Sequence, residues 1–322
     1  MSRTIAAIGS TGQQGGAVAR ACLQAGDWKV RGITRNVQSR GAQAMAAEGA
    51  EMVTADIDDH DALIKAFKGV HALFCVTDFW QHLGLGADAA GRKEAEQAFN
   101  IAHAASKTST LEHYIFSTLP NATRLSGGQR PVAHMDQKSG VDDRIREELS
   151  DLARKTTFMW LGWYSANMAF FPVIRPFELP LSGKWLWMQP SKADALLPIC
   201  GDVGANVGAY ALAALNNPER ARGKYVNVRT DRLSFSHIIG IWSEVSGKDA
   251  EYVSVSAETF EKLWGPAGRE MALQYASGEM WDDWDTQRPG EMCTPEDLRI
   301  KPGELVDLKG NLTNLKSKLL SG

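Results

Sequence analysis

Apolar residues in the first half of the chain fall into short β-rich runs separated by stretches of helical periodicity. The runs are Thr4–Ile8, Lys29–Thr34, Glu51–Ala55, Ala72–Thr77, Tyr114–Ser117 and Thr157–Leu161, and the helical stretches between them include Gly16–Ala25, Asp61–Phe67 and Gly91–Ala105. Strands that alternate with helices are joined by crossovers, which pair them in parallel and wind them with one hand. The pattern predicts a Rossmann-type α/β fold built on a doubly wound parallel sheet. A further helix follows His134. Its apolar stripe is Val141, Ile145, Leu149 and Leu152, and Asp142, Asp143, Arg146, Glu147 and Asp151 on its other faces are expected in solvent.

After residue 156 the pattern changes. Trp160, Trp163, Phe170, Phe171, Phe177, Trp185, Trp187 and Met188 crowd a segment that Pro172, Pro176, Pro180 and Ser182-Gly183 break into short pieces. This predicts a smaller, irregular C-terminal lobe over the mouth of the sheet, made from residues 157–198 and 233–322. A helix at Val203–Leu215 and a strand at Tyr225–Val228 are regular enough to rejoin the first unit, which then comprises 1–156 with a returning segment at 199–232. A helix at Phe235–Val245, a strand at Glu251–Val255 and further helices complete the lobe.

Composition narrows the functional classes. With 44% hydrophobic and 23% charged residues and a net charge of −3, the chain has no basic field to hold nucleic acid or an anionic membrane. The most apolar stretch, Phe158 to Ile174, carries Tyr164, Ser165, Asn167 and Pro172, polar and helix-breaking groups that suit a buried segment rather than a bilayer span. Cys22, Cys75, Cys200 and Cys293 lie far apart, which argues against a disulfide framework and against a metal site. The opening residues show no basic and apolar leader, so a cytoplasmic protein is expected.

The candidate chemistry begins directly after the first strand. Gly9-Ser10-Thr11-Gly12-Gln13-Gln14-Gly15 has the spacing G-x-x-G-x-x-G and opens a helix. One glycine permits the turn, the next lets a diphosphate approach the backbone, and the last lets helix and strand pack closely, while the helix N-terminus offers free N–H groups. The second strand ends Thr34-Arg35, with no acidic residue from Trp28 to Ala47. An acidic residue there would hold a ribose 2′-hydroxyl, whereas an arginine receives a 2′-phosphate, so NADP(H) is the expected cofactor. Arg31 and Arg35 share a face by alternation, and position at the carboxyl end favours Arg35. Asp56, after the third strand, is either an acceptor for the adenine amino group or a surface acid.

With these residues go Ala55-Asp56-Ile57-Asp58, Leu111-Glu-His-Tyr-Ile-Phe-Ser-Thr118, His134-Met-Asp-Gln-Lys138, Gly162-Trp-Tyr-Ser-Ala-Asn167 and Gly201-Asp-Val-Gly204. Together they make the chain resemble the NmrA-like proteins, an atypical branch of the short-chain dehydrogenase/reductase superfamily related to isoflavone-reductase-like proteins. The resemblance implies NADP(H) binding and one of two roles. Some members are regulators that bind nucleotide and a protein partner without catalysis; others reduce ketones, enones or quinones. The superfamily's usual Tyr-x-x-x-Lys reads here as His134-x-x-x-Lys138, so the tyrosine that protonates the substrate oxygen is missing.

One helical turn separates His134 from Lys138 and puts both on one face. Either supplies the proton, or Lys138 only holds the nicotinamide ribose; His134 is alternatively a satisfied, partly buried histidine. Thr77, Phe79, Ser117, Thr118 and Asn167 are further candidates for cofactor contact, and Tyr164 is the spare phenol of the region. The aromatic lobe suits a small apolar or aromatic substrate; a protein partner or a second copy of the chain is the alternative.

Overall fold

The computed structural model describes residues 3–280 and 283–320. Six strands, β1 (Arg3–Ile8), β2 (Trp28–Thr34), β3 (Glu51–Thr54), β4 (Ala72–Cys75), β5 (His113–Thr118) and β6 (Thr156–Leu161), lie in the order β3-β2-β1-β4-β5-β6. Tyr225–Val228 pairs with β6, and Met292–Cys293 extends that edge to eight strands. Every neighbouring pair is parallel. The order therefore reverses between β1 and β4, and at such a switch point the loops leave the carboxyl ends in opposite directions and open a crevice.

The strands read as near-continuous apolar runs because both faces of the sheet are covered. On one face lies α1 (Gln13–Ala25) with the helix Val203–Asn216, burying Val18, Cys22, Val207, Tyr210 and Ala214. A Cβ at Gly208 would lie 2.7 Å from the Ala17 carbonyl oxygen, so these two helices meet backbone to backbone. On the other face lie α3 (His60–Ala66), α4 (Ala87–Ser106) and the helix Ala133–Glu148, burying Leu63, Ala98, Ile101, Met135, Val141 and Ile145. A short helix, α2 (Arg40–Ala47), had no counterpart in the expected pattern; its apolar residues are mostly alanines, and Ser39 caps it by accepting from the Ala42 N–H.

The remaining residues form two three-stranded sheets, Trp163–Tyr164 with Leu196–Gly201 and Asp231–Ser234, and Phe177–Glu178 with Trp185–Gln189 and Ala250–Ser254. Helices Phe235–Ser246 and Ala257–Gly278 pack on them around Trp187, Phe235, Trp242 and Tyr275. The second of these helices is broken at Gly265, whose φ of 62° precedes Pro266, and the break redirects its last turns.

One expectation is corrected. Asp142 is not on a solvated face: it is 1% exposed, between the sheet and the segment that returns at residues 283–293. That segment also claims its neighbours, Arg288 pairing with Asp143 and Glu291 with Arg146. The periodicity was sound, but an element remote in sequence covers the face. Burial pushes the Asp142 carboxyl well above the usual range; a contact with Thr118 and the charges of Arg288 and Arg146 offset this only in part, and Asp143 adds to it.

A carboxyl raised in the folded state favours folding fully below its unfolded value of about 4, and that contribution is lost as pH rises above it. Asp142→Asn is therefore expected to stabilise the protein at pH ~7 by on the order of 1 kcal/mol, the size of one buried polar penalty. The gain should shrink towards zero near pH ~3–4, where an unfolded carboxyl also holds its proton. Paired thermal melts across that range check it, and a gain that does not grow with pH would contradict it.

Candidate active site

A groove of about 860 Å³ runs along the carboxyl edge of the sheet across the switch point. At one end is the turn after β1. Gly9 has a φ of 68°, and the Gly12 N–H donates to the Gly9 carbonyl at 2.8 Å. A Cβ at Gly15 would lie 2.4 Å from the carbonyl oxygens of both Gly9 and Ile8, so only hydrogen lets α1 start this close to β1. The N-cap of α1 is Gly12, which brings no side chain to the helix end, and no acidic residue sits in its first turn. The free N–H groups and the positive end of the helix dipole thus face the groove unopposed.

Arg31 and Arg35, equivalent by alternation, are separated by their surroundings. Arg31 is tied down, with Nε 2.9 Å from Glu51 and Nη1 donating to the carbonyls of Ala66 and Lys68. Arg35 is exposed, lines the groove, and has no ion pair among the described residues. Asp56 is also exposed on the groove wall, its carboxylate accepting from the Asp58 N–H. The loop behind it is fixed to α4, because Asp58 takes Lys93 at 2.8 Å and Gln97 at 3.1 Å.

The middle of the groove holds His134 and Lys138. α4 approaches their helix at Gly91, where a Cβ would be 3.2 Å from the Ala133 carbonyl oxygen. This close approach brings Glu94, fully buried, against Lys138: Nζ lies 2.8 Å from Glu94 Oε1 and 3.4 Å from the Thr77 carbonyl. The Thr77 hydroxyl donates to the same Glu94 oxygen at 2.9 Å, and β4 ends at Cys75, two residues before the expected end. Thr118 donates to the Lys138 carbonyl at 3.4 Å, and the Ser117 hydroxyl beside it makes no hydrogen bond among the described residues. A buried ion pair is stabilising only where hydrogen bonds complete it, and here Glu94 Oε2 has no partner among the described residues.

His134 is gripped from the lobe. Glu270, on the helix beyond the Gly265 break, accepts from the His134 backbone N–H at 2.9 Å and lies 2.7 Å from Nδ1. Burial pushes the Glu270 carboxyl up, but the hydrogen bond and charge of His134 and the backbone N–H groups of His134 and Ala133 outweigh it, so it is held below the usual carboxylate range. Phe79 and Trp80 flank the imidazole at 5.6 and 5.7 Å between ring centres, and Phe171 packs on Trp80 at 5.8 Å.

The residues named from the sequence as cofactor or acid–base candidates line this one groove: Gly9, Thr11, Gly12, Gln13, Gln14, Gly15, Arg35, Asp56, Thr77, Phe79, Ser117, Thr118, His134, Lys138, Tyr164 and Asn167. Their arrangement is not uniform. The Tyr164 hydroxyl accepts from the Gln14 side-chain amide, which ties it to the glycine turn, and burial pushes the phenol far up. The aromatic wall is also narrower than expected. Trp163, Phe170 and Phe171 line the groove, joined by Phe79, Trp80 and Trp284, whereas Trp185 and Trp187 are core of the lobe and Trp160 is buried beside Tyr225.

Glu94 and Glu270 escaped the reading of the sequence. Glu94 sits on the apolar stripe Ala90, Ala98, Ile101 of α4, so a lone acid in a buried row was a usable signal. Glu270 had none, because its meeting with His134 depends on a break over a hundred residues away. Among the described residues no helix is long and apolar enough to cross a membrane, and no cluster of three metal-ligating side chains occurs.

A doubly wound parallel sheet with a bare glycine turn at its switch point defines a protein of the Rossmann class. The chain belongs to the NmrA-like family, whose model matches residues 1–292. Among relatives, the NmrA-like family domain-containing oxidoreductase hkm9 of Aspergillus hancockii is 26% identical over 85% of this chain and 82% of its own length. The oxidoreductase cpsB of Aspergillus campestris is 28% identical over 78% and 76%. Among solved structures, Nmra, a negative transcriptional regulator, in complex with NAD, superposes with a TM-score of 0.77 at 20% identity, covering 98% of this chain and 96% of that one. The NADPH-dependent quinone oxidoreductase QOR2 of Escherichia coli, complexed with NADPH, gives 0.66 at 21% identity, covering 97% and 99%.

The glycine turn yields a stability test with an internal control. Gly15→Ala should destabilise the protein by about 1–3 kcal/mol through overpacking against backbone. Gly140→Ala, in the helix Ala133–Glu148 with nothing within 4 Å of the added methyl, should stabilise it by about 0.5–1 kcal/mol. Chemical denaturation of both variants reads the two signs; like signs would refute the close approach at Gly15.

Proposed function

We propose that this protein is an NADPH-dependent reductase of a bulky apolar or aromatic ketone, enone or quinone. What carries the reading is the continuity of the groove. One cleft runs from a bare helix N-terminus and an exposed arginine, past a paired lysine and an oriented histidine, into an aromatic mouth. The residues fit a phosphorylated dinucleotide: Gly15 leaves a cradle that a Cβ would fill, α1 presents unopposed N–H groups, and Arg35 has no ion pair among the described residues to give up. Gly9, Thr11, Gly12, Gln13, Gln14 and Gly15 would hold the diphosphate, Arg35 the 2′-phosphate, and Asp56 the adenine end. Thr77, Phe79, Ser117, Asn167 and Lys138 would hold the nicotinamide end.

The cofactor, when bound, supplies a hydride. The chain's own part is to bind, orient and exclude water. Lys138 donates hydrogen bonds from a position fixed by Glu94, and the aromatic mouth strips water from a flat apolar acceptor. Two relatives carry the oxidoreductase name, and one solved neighbour is named for quinone reduction. A regulator that only senses nucleotide, as the resemblance to Nmra would suggest, leaves the aromatic half of the groove without an occupant.

Arg35→Ala should weaken NADPH binding by about 1.5–3 kcal/mol, the range for hydrogen bonds to charged groups, while leaving NADH nearly untouched. Calorimetric titration of both nucleotides checks this, and equal losses would remove the 2′-phosphate role. A panel of quinones, enones and aryl ketones, followed by loss of reduced-nicotinamide absorbance, tests the activity. Tight NADPH binding with no acceptor consumed would sink the reductase reading and favour the regulator.

A further inference from the structure

We propose that His134 is the proton donor of this site and that Glu270 is the residue that positions it, an assignment that rests on the reductase reading above. Two acid–base pairs meet in the groove, each with its carboxylate brought from a different element. Lys138 is occupied on the sheet side by Glu94 and the Thr77 carbonyl. His134 is bound through Nδ1 and its backbone N–H to one oxygen of Glu270, while Nε2 makes no hydrogen bond among the described residues. The ring lines the groove, and Phe79 and Trp80 pack beside it. An imidazole held at one nitrogen by a carboxylate, with the other directed to a reaction cleft, is oriented for proton transfer and has a partner for its positive charge.

The balance of the step is simple. As hydride reaches the acceptor carbon, supplied by a reduced nicotinamide that is oxidised in the same event, the carbonyl π pair moves to oxygen. That oxygen takes the proton from Nε2, and the N–H bonding pair stays on the ring. His134 is left neutral, with Nδ1–H still shared with Glu270, and regains its proton from water at the groove mouth. The other charged groups of this part of the groove are Lys138 with Glu94, and Asp78, whose carboxylate accepts from the Trp80 N–H.

Glu270 has a competing structural role. Val132, the N-cap of the helix Ala133–Glu148, offers it no side-chain hydrogen bond, and Glu270 caps that helix from the lobe instead. Glu270→Gln separates the two roles, because the amide oxygen still accepts both N–H groups but carries no charge to balance the protonated ring. His134→Asn removes the proton donor by a second route. The variants and the intact protein are compared for melting temperature, NADPH Kd by fluorescence, and kcat and KM with menadione as acceptor. The ring tautomer of His134 is read by ¹⁵N–¹H NMR.

The expected result is a kcat lowered about 100-fold in each variant, the usual contribution of a general acid. NADPH Kd and melting temperature should stay near those of the intact protein, and the double variant should lose no more than either single one. The intact protein should show its ring proton on Nδ1, shifted downfield by the carboxylate. Undiminished kcat in Glu270→Gln, multiplied losses in the double variant, or a proton on Nε2 alone in the neutral ring would overturn the pair while leaving the reductase reading intact. An intact protein that binds NADPH but reduces no acceptor brings down that reading and this assignment with it.

Discussion

The architecture of the site depends on one close approach, that of Gly15 to the carbonyl oxygens of Ile8 and Gly9. Because no side chain intervenes, α1 begins almost on top of the end of β1, at the point where the strand order reverses. The free N–H groups of its first turn are then aimed into a crevice that the diverging loops have already opened. A second bare contact, Gly208 on Ala17, fixes the far side of α1 against the helix Val203–Asn216. The helix cannot retreat to make room for a larger residue at position 15, so the cradle is set by backbone on both sides.

Charge inside the groove follows the same economy of position. Lys138 and Glu94 are both largely withdrawn from water, with 11% and 1% of their side chains exposed. Neither would be tolerable alone, since an uncompensated buried charge is strongly destabilising. Gly91 makes their meeting possible by letting α4 lie close to the helix Ala133–Glu148. Glu270 meets His134 in a different manner, from a helix whose direction changes at Gly265–Pro266. The first pair belongs to the Rossmann layer, and the second exists only where the lobe packs on it.

Much of this was legible in the sequence, and the legible part shares a physical cause. Period-two and period-3.6 patterns record burial by adjacent elements, so β1 to β6 and the helices α1, α3 and α4 stand out. The glycine turn was legible because its close approach to β1 admits only that residue type, and the place of Arg35 in the groove because it follows directly on the end of β2. What escaped depends on contacts between segments remote along the chain. Asp142 looked solvated until residues 283–293 covered it, and Trp185 and Trp187 looked like pocket wall until the lobe's own helices enclosed them. The Gln14 amide that holds the Tyr164 hydroxyl could not be read locally either, because the two residues lie far apart in sequence.

The histidine at position 134, where the resemblance leads one to expect a tyrosine, also makes physical sense of the lobe. A phenol beside a lysine needs only that cation to favour loss of its proton, and both sit on one helix. An imidazole gives up a proton from a cationic state instead, and a neighbouring lysine would oppose that state. The ring therefore requires an anion of its own, close to Nδ1 and remote from the lysine's partner. The helix carrying His134 cannot supply it, since Asp136 on its first turn is engaged by Thr123 and the Val132 N–H. The lobe supplies it instead: Glu270 lies at Nδ1, and the lysine's charge is absorbed separately by Glu94. Under the assignment proposed above, the lobe would be part of the acid–base apparatus as well as a cover for the groove, and the spacing His-x-x-x-Lys would call for a third residue that no local motif can encode.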